Sequence, residues 1–124
     1  MFDIFDANVI HITRGNSANI NITPIDTDEG APIILYEGDK VLFTVKNAKG
    51  ETVIQKTLTY ENYEDPEDKS LDCEIEPEDT IDLPTGEYQY DCLFLSGSQA
   101  VTFISSAFII EKALGVYTDL HGGE

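Results

Sequence analysis

The stretch Val41-Leu42-Phe43-Thr44-Val45-Lys46-Asn47-Ala48-Lys49-Gly50 decides the fold class. Val41, Phe43 and Val45 alternate with Leu42, Thr44 and Lys46, the period of two that gives a pleated strand one dry face. Asn47-Ala48-Lys49-Gly50 supplies turn chemistry, with Gly50 able to take a positive φ, and Thr52 to Leu58 reads as the returning strand. This is a β-hairpin.

The same zigzag extends in both directions. Upstream, Asn8 to Thr13 reads as a strand, Arg14-Gly15-Asn16 as a turn, and Ala18, Ile20 and Ile22 alternate with Asn19 and Asn21. Ile33-Ile34-Leu35-Tyr36 is a short apolar piece stopped by Glu37-Gly38-Asp39. Downstream, Glu61 to Ser70 is an acidic connection with room for one helical turn, and Leu71, Cys73 and Ile75 mark another strand. Pro77-Glu78-Asp79-Thr80 reads as a tight turn or one 3₁₀ turn. Tyr88, Tyr90, Cys92 and Phe94 then alternate with Gln89 and Asp91, Ser96-Gly97-Ser98 reverses the chain, and Gln99 to Lys112 forms the last long strand. Its alternation slips at Ser105-Ser106, the mark of a bulge or of a switch of face.

About seven short strands joined by turn residues imply an all-β, antiparallel immunoglobulin- or fibronectin-like two-sheet sandwich. Residues 1–112 form that domain in this reading, and 113–124 form a flexible C-terminal tail in which Val116, Tyr117 and Leu120 would anchor an assembly arm. Leu83-Pro84-Thr85-Gly86-Glu87-Tyr88 sharpens the expectation. A leucine, a Pro/Gly turn and an inward tyrosine resemble the tyrosine corner of such sandwiches, with Leu83, Gly86 and Tyr88 as its residues.

Length and charge set outer limits. A chain of 124 residues with 41% apolar content is one domain, large enough to bury roughly 13,000 Å² on folding. Seven basic against 24 acidic residues leave a net charge of -17, which repels nucleic acid and anionic membranes. Eleven of those carboxylates lie between Glu61 and Asp82 with a single cation, Lys69, and read as a solvated face. The opening Met1-Phe2-Asp3-Ile4-Phe5-Asp6 has acids where a signal peptide carries bases, so cytoplasmic synthesis is expected. Ala100 to Ile110 is far shorter than a membrane-spanning helix.

Chemistry-bearing patterns are sparse. Cys73 and Cys92 fit no zinc spacing; both fall on inward strand phases, as two free thiols or, in the alternative, a disulfide. His11 and His121 lie in no nucleophile context, and neither a Gly-x-Ser-x-Gly elbow nor a phosphate-binding glycine loop occurs. Asp26-Thr27-Asp28-Glu29-Gly30, with Glu37 and Asp39 beyond it, resembles half of a calcium loop but lacks the glycine offset and closing glutamate. Glu64-Asp65-Pro66-Glu67-Asp68 is a second acidic turn. No catalytic residue, metal ligand or cofactor is expected.

Three runs carry a family resemblance. Val9-Ile10-His11-Ile12-Thr13-Arg14-Gly15-Asn16-Ser17 with Ile20-Asn21-Ile22-Thr23 is one, and Leu35-Tyr36-Glu37-Gly38-Asp39-Lys40-Val41-Leu42-Phe43-Thr44-Val45-Lys46 is another. Leu83-Pro84-Thr85-Gly86-Glu87-Tyr88-Gln89-Tyr90-Asp91 is the third. Together they resemble small prophage and siphophage proteins similar to the amino-terminal domain of baseplate upper proteins. Asn16 stands where members of that family usually carry aspartate. The resemblance implies a non-enzymatic structural or assembly protein of a phage tail or baseplate, located in the virion. Its partners would be other tail proteins or copies of itself. The alternative is an immunoglobulin-like module that binds host-surface polysaccharide or protein, with Tyr60 and Tyr63 as candidate contacts.

Overall fold

The computed structural model describes residues 9–25, 30–65 and 70–112, and the side chains of Glu64 and Asp65 are outside that description. Among the described residues eight strands follow one another: β1 (Ile10–Thr13), β2 (Ala18–Ile22), β3 (Lys40–Lys46), β4 (Thr52–Leu58), β5 (Tyr63–Asp65), β6 (Ser70–Ile75), β7 (Gly86–Ser96) and β8 (Gln99–Glu111). A 3₁₀ turn at Tyr60–Asn62 precedes β5, and a single α-helical turn, α1 (Pro77–Thr80), follows β6. Among the described residues no helix is long and apolar enough to cross a membrane.

The opening hairpin forms as its alternation dictates. Val41, Phe43 and Val45 are fully buried on β3. Asn47 closes the turn, its Oδ1 accepting from the N–H groups of Lys49 and Glu51 at 2.9 and 3.0 Å. Tyr88, Tyr90, Cys92 and Phe94 on β7 face the same interior, joined by Phe108 and Ile110 from β8 and by Leu71, Cys73 and Ile75 from β6. Rings of Phe43, Tyr90 and Phe108 meet at centroid distances of 5.4 to 6.5 Å. Both sheets therefore feed a single apolar core, the main stabilising term of the fold.

The arrangement of the sheets differs from the antiparallel immunoglobulin-like sandwich expected from the sequence. Three strands form one sheet in the order β2-β6-β5, and five form the other in the order β1-β8-β7-β3-β4. In the larger sheet β1 runs parallel to β8, from Ile10 opposite Phe108 to Thr13 opposite Glu111, so the sheet is mixed. It is also curled into a half-barrel. Two causes are visible. The Arg14-Gly15 turn sends the chain to the other sheet instead of folding it back as a hairpin, so β1 and β2 are not partners. Bulges between Val45 and Lys46 and between Cys92 and Leu93 add local twist to the long strands.

The slip in β8 falls at Phe103, which the register skips between Ile104 and Thr102, and not at Ser105-Ser106. Pro77–Thr80 is one turn of α-helix with Thr80 fully buried. Ile33 to Tyr36 forms no strand. Leu35 is buried and its N–H donates to the Tyr63 hydroxyl at 2.9 Å, while Ile34 and Tyr36 face outward.

Candidate functional site

The open rims of the two sheets are the most informative surface. β8 is 13 residues long, but the four-residue β1 covers only Phe108 to Glu111. Along Gln99 to Ser105 no other strand lies outside β8 among the described residues. The whole run from Gln99 to Ile110 contains no charged residue. Val101 on this edge is 41% exposed.

Between this edge and the rim of β2 lies a half-open cleft of about 220 Å³. Ile10, Ile20, Ile22, Tyr90, Cys92 and Ile104 line it. The β2 rim, Ala18-Asn19-Ile20-Asn21-Ile22, is uncharged as well. Among the described residues, neither β2 nor the Gln99–Ser105 part of β8 carries a charged side chain, and an apolar notch lies between them.

The opposite flank is acidic. A groove of about 360 Å³ is lined by Lys56 from β4 and by Asp72, Glu74 and Glu76 at β6. Lys56 Nζ pairs with Asp79 Oδ2 at 2.7 Å, and the same oxygen accepts from the Glu76 N–H at 2.8 Å. Burial raises the Asp79 carboxyl, but these hydrogen bonds and the Lys56 charge outweigh it and hold Asp79 below its ordinary range. Glu78 beside Glu76 pushes the Glu76 carboxyl upward. Asp72 Oδ1 is buried without a hydrogen-bond partner among the described residues. No three His, Cys, Asp or Glu side chains converge to hold a metal ion among those residues.

The tyrosine at the corner makes a definite contact: the Tyr88 hydroxyl donates to the Pro84 carbonyl at 2.6 Å. Leu83 packs half-buried against the core, and Gly86 opens β7 with φ of +142°, a conformation that side chains with a Cβ rarely adopt. Cys73 and Cys92 are free, buried thiols on opposite sheets. Burial pushes each up to about 12, and the neighbouring Cys73 contributes to the rise at Cys92. Such thiols carry almost no thiolate at neutral pH and are poor nucleophiles.

The remaining sequence candidates separate. His11 Nδ1 meets Glu111 Oε2 at 3.1 Å on the exposed face of the β1–β8 pair. Tyr60 is exposed, and the Tyr63 hydroxyl accepts from the Leu35 N–H at 2.9 Å. The arm residues Val116, Tyr117 and Leu120, His121, the Asp26–Glu29 turn and Pro66 to Asp68 lie outside the described residues. The sequence marks the first and last strands, with the tail after Lys112, as candidate contact edges; the uncharged length from Gln99 to Ile110 in a chain of net charge -17 is a further signal for the last strand. No family model matches this chain, and no curated protein matches it either.

Proposed function

We propose that this chain is a non-enzymatic structural or assembly component of a phage tail or baseplate, acting in the virion through contacts between sheet rims. The observation that supports the reading is the uncharged β8 edge from Gln99 to Ser105, beside which no strand lies among the described residues, in a chain of net charge -17. An edge of this kind is a template for strand addition, and proteins that do not use such an edge usually protect it with charge, proline or a covering segment. The tail-protein assignment itself rests on the resemblance of the Val9 to Thr23, Leu35 to Lys46 and Leu83 to Asp91 runs to siphophage proteins. Buried, strongly protonated thiols and a tightly packed aromatic centre suit a rigid spacer better than a reaction centre.

Deletion of the gene from the lysogen that carries it, followed by electron microscopy of induced lysates, tests the assignment. Filled heads lacking complete tails are expected. Infectious particles with intact tails at the parental yield would overturn it.

A further inference from the structure

We propose that α1 is a clasp: its consecutive residues Asp79 and Thr80 hold the two outer strands of the five-stranded sheet, and its release is a local opening that uncovers Cys73 between β4 and β6. The proposal goes beyond the tail assignment, because it concerns how the domain opens whatever particle it belongs to.

Neighbours in sequence here hold distant edges in space. β1 and β4 are the first and last strands of the larger sheet among the described residues. In a flat sheet four strand spacings would set them about 19 Å apart, whereas the single turn of α1 rises only about 6 Å. Thr80 Oγ1 accepts from the N–H of Gly15, just beyond the end of β1, at 2.8 Å. The turn that carries Gly15 is tied to β8 in its own right, the Arg14 N–H donating to the Glu111 carbonyl at 2.9 Å. On the other side Asp79 Oδ2 takes Lys56 Nζ of β4 at 2.7 Å. The curl of the sheet brings both edges within reach of one helical turn, and α1 in turn holds that curl in place.

Lys56 marks the seam that the clasp closes. It stands on the inward phase of β4, between the buried Ile54 and Leu58 and opposite Phe43, where a charged side chain is unusual. Its stem lines the groove between β4 and β6 while its ammonium runs out to Asp79. Asp72 and Glu74, which flank Cys73 on β6, line the same groove. Cys73 itself is fully buried. Burial does most to raise its thiol; Lys56 lowers it, and Asp72 and Asp79 raise it, so both members of the ion pair lie within its electrostatic reach. Cys92, on the other sheet, is raised by burial and then by Cys73 and Asp91. Freeing α1 therefore loosens the wall over Cys73 and leaves that around Cys92 closed.

Labelling of the full chain with N-ethylmaleimide at neutral pH without denaturant, followed by peptide mass spectrometry, reads the opening at each thiol. Both should be protected in the wild-type chain. Thr80→Val, which removes the hold on Gly15, should speed modification of Cys73 about tenfold or more, with Cys92 lagging behind it. Lys56→Met keeps the stem, gives up the ion pair and should speed it by up to about fivefold, a change mild enough to keep the fold. The same variant should speed hydrogen exchange at the Gly15 N–H, at the far edge of the sheet. Lys46→Met removes an exposed lysine from β3 and should change neither readout. Equal acceleration at Cys73 and Cys92 would mark global unfolding and overturn the proposal. So would Cys73 rates that Lys56→Met leaves unchanged, or that Lys46→Met raises as much.

Discussion

The Gly15 N–H donates a 2.8 Å hydrogen bond to Thr80 Oγ1, joining the turn that carries the chain between the two sheets to the helical turn that precedes β7. The two residues are 65 positions apart, and Thr80 is fully buried. Thr80→Val keeps the volume but strands a part-buried donor, so a loss of about 1–3 kcal/mol is expected in urea unfolding. Thr80→Ser, which keeps the hydroxyl, should cost less. At Gly15 itself φ is +82°, and an added Cβ would lie 2.9 Å from the end of the Ile81 side chain. Ile81 is half-exposed and can swing away, so the backbone conformation sets the cost of Gly15→Ala at about 1–2 kcal/mol.

Tyr88→Phe removes one hydroxyl and leaves the ring in place. Its bond to the Pro84 carbonyl should contribute about 1 kcal/mol, read as a lower urea midpoint with an unchanged slope. No change in midpoint would mean that the corner is held by ring packing alone.

The buried thiols predict a base-sensitive fold. Cys73 and Cys92 are raised from 9.0 to about 12, and burial followed by the nearby Cys92 raises Tyr90 from 10.0 to about 12. The unfolded chain releases these protons first, so their contribution is complete below pH 9 and is lost as pH rises from about 9 towards about 12. Urea midpoints at about pH 8 and about pH 11 should show that decline. Thiol reagents at neutral pH should modify neither cysteine in the folded chain and both in denaturant.

Lys56 and Asp79 give an acid-side counterpart. Asp79 is held below its ordinary 3.8, so this stabilisation is present above that value and disappears as pH falls through the depressed one. The pair is partly exposed, so Lys56→Met should cost only about 0.2–1 kcal/mol at low salt, and less at about 1 M salt.

Which side of each strand faces inward was legible from the sequence, because a period of two maps directly onto burial. Val41, Phe43 and Val45, and then Tyr88, Tyr90, Cys92 and Phe94, all point into the core. Which strands are neighbours was not legible. Ile10 sits opposite Phe108, nearly a hundred residues away, and alternation carries no record of partner or direction. The parallel β1–β8 pair, and with it the departure from the antiparallel sandwich, is a product of long-range packing.

Local reading also failed where polar residues serve the interior. Thr80 looks like part of a surface turn among Glu78 and Asp79, yet it is buried because its hydroxyl satisfies Gly15. Tyr63 looks available beside acidic neighbours, yet its hydroxyl holds the Leu35 backbone. The candidate surface was partly visible as an absence of charge from Gln99 to Ile110, but only the strand order shows that no described strand lies outside Gln99 to Ser105.

Quantitative mass spectrometry of gradient-purified particles, combined with gold-labelled antibody, bears most directly on whether the neutral-edged chain builds a tail. A fixed copy number per particle with label confined to the tail or its tip is the expected result. Particles free of the protein, with all of it left in the unassembled fraction, would contradict the account.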